Sequence, residues 1–126
     1  MNCSRPKRWC FDIDDTICSV KPPSEPYTEY ANVTPYQDVI DFINERYDKG
    51  EYIILATARC MATTQSNLGL INARVGKITF DWLEKHGVKY HEIYWAKPYA
   101  DVYVDDKALN VSKLRAELDH WRNMNE

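Results

Sequence analysis

Trp9-Cys10-Phe11-Asp12-Ile13-Asp14-Asp15-Thr16 decides how the rest of the chain is read, because an apolar run ends abruptly in carboxylates spaced i,i+2. Residues 7–12 are predicted to form a short buried strand. Side chains alternate across a strand, so Asp12 and Asp14 are expected toward one side where the strand gives out. In open α/β sheets, ligands bind beyond the carboxyl ends of strands. Two neighbouring acids repel, and a divalent cation is the simplest thing that offsets the cost. Short acidic runs also occur in solvated turns, so the reading depends on what the other strand ends carry.

Downstream, residues 17–33 contain Pro22, Pro23 and Pro26 and are expected to form a flap-like loop. Thr34, Pro35 and Gln37 together predict a helix start, with an N-cap, a proline at the first position and a capping box. Val39, Ile40, Ile43 and Tyr47 supply its buried face, and Gly50 ends it. Residues 51–57 predict a second strand, apolar enough to be buried on both faces. A long polar segment follows, from Ala58 to about Gly76. Residues 77–86 predict a helix with Ile78 and Trp82 on one face, stopped by Gly87. Residues 91–95 predict a third strand and residues 101–105 a fourth, ending in Asp105-Asp106. Val111, Leu114, Leu118 and Trp121 line a last helix that begins near Ser112. The alternation predicts an α/β fold, a Rossmann-like three-layer α/β/α sandwich around a mainly parallel sheet.

With 126 residues the chain is long enough for one domain, spanning 1–126, and too short for two. Hydrophobic residues are 44% and charged residues 28%, the balance of a globular protein and not of a disordered one. The net charge of −3 and the short basic flank Arg5, Lys7 and Arg8 argue against a nucleic-acid partner. No apolar run has the roughly 18 residues of a membrane span. Cys3, Cys10, Cys18 and Cys60 show no C-x-x-C spacing, so free thiols in the cytoplasm are expected.

Asp12 and Asp14, Thr57, Lys97, and Asp105 with Asp106 all fall just after an apolar strand or lead into one. Parallel strands end on one edge, so residues nearly a hundred positions apart are expected to converge there. At these residues the chain resembles the haloacid dehalogenase superfamily. Asp12-Ile13-Asp14-Asp15-Thr16 is similar to its D-x-D-x-T motif, Thr57 to its strand-ending Thr or Ser, Lys97 to its lysine, and Asp105-Asp106 to its final acidic pair. More narrowly, Thr57-Ala58-Arg59-Cys60-Met61, Lys97-Pro98 and Val102-Tyr103-Val104-Asp105-Asp106-Lys107-Ala108 resemble small phosphatases of capsule and surface-polysaccharide biosynthesis. Cys60 stands where that group more often has Asn. The acidic pair and lysine also occur in response-regulator receivers, but their order here is wrong for a receiver.

The resemblance implies a phosphomonoesterase that forms an aspartyl-phosphate on Asp12, with Asp14 as acid and then base. It implies Mg²⁺ held by the Asp12 carboxylate, the Asp14 carbonyl and Asp105, with Asp106 acting through metal-bound water or by fixing Asp105. Thr57 would hold phosphoryl oxygens, Lys97 would supply positive charge, and Arg59 would contact the substrate or form a salt bridge. Lys77 is the rival to Lys97. Asp15 is expected to be solvated or to cap a turn, and Thr16 to pin the loop. Asp105-Asp106 could instead cap the last helix. Tyr94, Trp95, Tyr99 and Tyr103 are expected in the core more than on a sugar, and Cys18 as an inert buried thiol. Residues 17–33 and 58–76 are too short to form a cap domain, so the site is expected to be open, or covered by homo-oligomerisation. The expected substrate is a small phosphorylated sugar or polyol. Phosphotransferase or mutase activity, or a catalytically idle binding module, are the alternatives.

Overall fold

The structure is a computed structural model describing residues 5–123; Cys3 lies outside them. Three parallel strands, β1 (Arg8–Asp12), β2 (Tyr52–Ala56) and β3 (Glu92–Tyr94), form a sheet in the order β1-β2-β3. Arg8 pairs with Tyr52 and Asp12 with Ala56; Ile54 pairs with Glu92 and Ala56 with Tyr94. Paired residues of parallel strands share a face. Trp9, Phe11, Ile53, Leu55 and Ile93 therefore look to one side, and Cys10, Ile54, Ala56, Glu92 and Tyr94 to the other.

The first side carries the core. Phe11, Ile53 and Leu55 are buried there in one cluster with Val39, Ile40, Phe42 and Ile43 of helix α1 (Gln37–Asp48). Trp9 meets Phe42 and Trp121 edge-on, with ring centroids 5.3 and 6.2 Å apart. The second side is half-exposed and partly polar: the Arg8 guanidinium lies over the Tyr52 ring and reaches Glu92. Burial of β2 on both faces does not hold, since only Ile53 and Leu55 are fully covered.

α1 ends as the glycine predicts. The Gly50 N–H donates to Tyr47 and the Glu51 N–H to Arg46, the paired bonds of a Schellman cap, with Gly50 at φ +88°. Gly87 closes a later helix in the same way. The predicted start of α1 is corrected. Tyr36 is the N-cap, without a side-chain bond, and Thr34 is instead tied to Ser19 in the flap.

Residues 58–76 are less loop-like than their composition suggests. Asn67 caps helix α2 (Leu68–Ile71) through its side-chain oxygen, and a π-turn (Asn72–Gly76) joins α2 to α3 (Lys77–Lys85). Met61, Ile71 and Val75 form a second small cluster, joined by Tyr30 from the 3-10 turn Tyr27–Asn32 and by Trp95. The two short insertions thus pack on each other beside the strand ends. The last helix is broken in two, α4 (Val111–Ala116) and α5 (Leu118–Arg122), at Glu117, whose φ of −123° is not helical. Its cap is Asn110, not the acidic pair.

The predicted fourth strand does not form. Among the described residues nothing pairs with residues 101–105, and Val102 and Val104 are 74% and 94% exposed. The Asp105 carboxylate accepts the Lys107 N–H at 2.7 Å, an Asx turn that ends the extended run. Among the described residues the fold is α/β around a three-stranded parallel sheet, and no helix is long and apolar enough to cross a membrane.

Candidate active site

Asp12 is the last residue of β1, and its backbone pairs with Ala56, one residue before Thr57. The chain then turns sharply. The Thr16 and Ile17 N–H groups both donate to the Ile13 carbonyl, and the Asp15 N–H donates to Cys18, with Asp15 at φ +59°. Thr16 pins the loop through that backbone bond. Asp15 is exposed and accepts the Tyr36 hydroxyl at 2.9 Å. Buried Ile13, Ile17 and Cys18 lock the turn into the core.

This turn separates the partners of the two acids. Asp12 Oδ2 lies 3.1 Å from Lys97 Nζ, and its Oδ1 accepts the Ile13 N–H at 2.9 Å. The Asp14 carboxylate receives Arg59: Nε donates to both oxygens at 3.1 Å and Nη2 to Oδ1 at 2.9 Å. Burial holds the Asp12 carboxyl above its usual range; Lys97 opposes that shift and the nearby Asp14 adds to it. Each acid therefore has its own cation, and the repulsion read from the sequence is offset without a metal.

Thr57 is fully buried at the end of β2. Its N–H donates to Tyr94, its carbonyl accepts the Lys97 N–H, and its hydroxyl accepts the Arg59 N–H at 3.0 Å. Thr57 thus fixes the backbones of both basic residues. Lys97 is also covered by the Tyr103 ring, 4.2 Å from Nζ, and the Tyr103 hydroxyl donates to the Pro98 carbonyl. Between the rival lysines the geometry is plain. Lys97 faces Asp12, whereas Lys77 is 86% exposed and pairs with Asp81 one helical turn along α3.

Arg59 is not where a substrate contact would be. Its side chain has no exposed surface; Nη1 donates to Thr79 at 2.8 Å, and the guanidinium lies 4.3 Å from the centre of the Tyr30 ring. Cys18 Sγ lies 3.8 Å from Asp14 Oδ1 and 3.7 Å from Arg59 Nη2. Burial, with Asp14 beside it, pushes the Cys18 thiol up to about 12 against the pull of Arg59, so it stays protonated and inert. Tyr30 and Thr79 escaped the sequence reading because no local spacing links them to Arg59.

The structure brings together Asp12, Asp14, Thr57, Arg59 and Lys97. It does not bring Lys77, Asp105 or Asp106 to them. Asp106 is exposed and pairs with the neighbouring Lys107 at 3.0 Å. Among the described residues no three His, Cys, Asp or Glu side chains lie close enough together to hold a metal ion. With Asp12 and Asp14 both ion-paired and no third acid beside them, this arrangement does not fit Mg²⁺. Of the aromatic residues, Trp95 packs on the second cluster and edge-on to Phe80, while Tyr94 and Tyr99 are exposed.

The crystal structure of a target protein from Vibrio cholerae superposes on the chain with a TM-score of 0.78 at 34% sequence identity, covering 92% of this chain and 95% of that one. The chain belongs to that protein's family. No family model and no curated protein matches the chain. The kinship supports the α/β fold and carries no chemistry with it.

Proposed function

We propose that the protein is a phosphomonoesterase of the haloacid dehalogenase type, acting through an aspartyl-phosphate on Asp12 and taking a phosphorylated sugar or polyol. The observation that supports this best is the pair of carboxylates at the end of β1, each held by its own cation, on one sheet edge with Thr57. An Asp12 oxygen attacks phosphorus, the bond from phosphorus to the leaving oxygen breaks, and Asp14 in its acid form gives that oxygen its proton. Water then attacks phosphorus, the bond to Asp12 breaks, and the Asp14 carboxylate takes the water's proton. Both groups return to their starting forms. Lys97 offsets the negative charge that accumulates beside Asp12, and Thr57, itself fully buried, holds the Lys97 backbone through its carbonyl.

Mg²⁺ enters this proposal only through a rearrangement. Asp105 would have to reach Asp12, and Lys97 to give up part of its contact. Among the described residues β1 is an edge strand on the side away from β2, and that is the edge the extended residues 101–105 would join. Pairing there would complete the wider three-layer sandwich.

The test is phosphate release from a panel of phosphomonoesters, with Mg²⁺ and with EDTA. The unmodified protein should turn over, and Asp12→Asn should lose on the order of a thousandfold or more while keeping its circular dichroism. Full activity in folded Asp12→Asn defeats the nucleophile assignment. Equal activity in EDTA defeats the metal and the rearrangement with it. No release from any ester by the unmodified protein favours an idle binding module.

A further inference from the structure

Arg59 has an environment that neither a substrate contact nor a plain surface salt bridge explains. Its guanidinium is wholly buried, and three parts of the chain hold it: the turn after β1 through Asp14 and Cys18, the first insertion through Tyr30, and α3 through Thr79. Its own backbone N–H is held by the Thr57 hydroxyl. The planar fork reaches both oxygens of one carboxylate, a match that lysine cannot reproduce. Breaking the pair leaves the wholly buried guanidinium uncompensated, so the pair resists rotation.

We propose that Arg59 is a positioning residue for Asp14, which it holds by the fork at a fixed orientation set by Thr79 and Tyr30, and that it does not touch substrate. The proposal rests on the phosphomonoesterase reading, since it gives Asp14 the proton-transfer role. The first insertion, through Tyr30, and α3, through Thr79, acquire a function by it: they brace the group that aims the acid.

A misaimed acid matters most when the leaving oxygen is a poor one, because a good leaving group departs without a proton. The experiment measures kcat/KM, which reports the steps up to departure of the leaving group, for an alkyl phosphate and for p-nitrophenyl phosphate. Arg59→Lys should lose about a hundredfold with the alkyl ester and no more than about threefold with the nitrophenyl ester. Thr79→Val, which keeps the charge and removes one anchor, should show the same asymmetry at about tenfold. Equal losses with both esters, carried mainly in KM, would mean that Arg59 binds the phosphoryl group, and the proposal falls.

A second readout does not depend on turnover and covers variants that fold poorly. The Arg59 Nε–H resonance of the unmodified protein should exchange slowly with solvent and should move on Asp14→Asn. A fast-exchanging or unmoved signal overturns the fork whatever the activity. A responsive signal in a protein that hydrolyses no ester keeps the brace, removes its catalytic purpose, and locates the failure in the phosphomonoesterase reading.

Discussion

The ends of β1 and β2 and the segment from Asp101 to Asp106 carry equally acidic or polar residues after equally apolar runs, yet only the first region is built. Leu55 is buried, pairs with Phe11 and Ile93, and is followed by a Thr57 bonded through N–H, carbonyl and hydroxyl. Val104 is almost wholly exposed, pairs with no described residue, and is followed by acids that bond to Lys107. A Val-Tyr-Val alternation suits a strand without making one; the ladder and the covering face have to be supplied from elsewhere. At β2 both neighbours and α1 supply them. Beside Val104 no described residue does.

The largest test of this contrast is stability. Leu55→Ala should cost about 2–5 kcal/mol, because it removes buried methyl groups and leaves a cavity in the main core. Val104→Ala should stay within about 0.5 kcal/mol, as exposed substitutions do. Chemical denaturation of the two variants reads both values. A cost well above 1 kcal/mol at Val104 would mean that residues 101–105 sit in the sheet, and the contrast between the regions would disappear.

A smaller effect separates the two lysines, one inside the built region and one outside it. Lys97→Met should lower kcat/KM about a hundredfold, by removing the cation beside the developing charge. Lys77→Met, which breaks only an exposed pair within α3, should leave it nearly unchanged. The pH profile adds a sign. The Asp12 carboxyl already titrates above its ordinary range because it is buried, and Lys97 pulls it down. Without that cation the carboxyl rises further, so the acidic limb of the profile should move to higher pH in Lys97→Met. A limb that stays in place, or moves to lower pH, would show that the limb does not belong to an Asp12 paired with Lys97.

How much of this could be read beforehand follows from the range of the forces. The helix stop at Gly50 and the three strands at residues 8–12, 52–56 and 92–94 come from local chemistry, and they were legible. Lys97 could be named because strand ends converge. Arg59 was read as a substrate contact or a salt bridge, and the salt bridge forms; its partners could not be named, since they lie 20 to 45 residues away and follow no repeating pattern. The acidic pair misled for the opposite reason. Its local pattern was strong, and the long-range pairing that would make it a strand end is missing. Charge neutralisation of Asp12 and Asp14 was foreseen, and Lys97 and Arg59 contribute to it.

The smallest effect concerns strain. A non-glycine residue in the left-handed region costs of order 1–3 kcal/mol and persists only where its surroundings hold it. Among the described residues the four such positions are Asp15, Cys60, Gln65 and Ser66, and none lies in residues 98–110. Cys60, at φ +61°, carries no short polar side chain to ease that conformation. The Thr64 N–H and hydroxyl both bond to its carbonyl, at 3.0 and 2.6 Å, which keeps the backbone in place whatever the side chain. Cys60→Asn should therefore relieve strain and raise stability by about 0.5–1 kcal/mol, measured as a shift in denaturation midpoint at unchanged slope. A loss of that size instead would show that the contact of Cys60 with the Met61, Ile71 and Val75 cluster outweighs the backbone cost. The built region would then be held by its packing even where its dihedral angles oppose it.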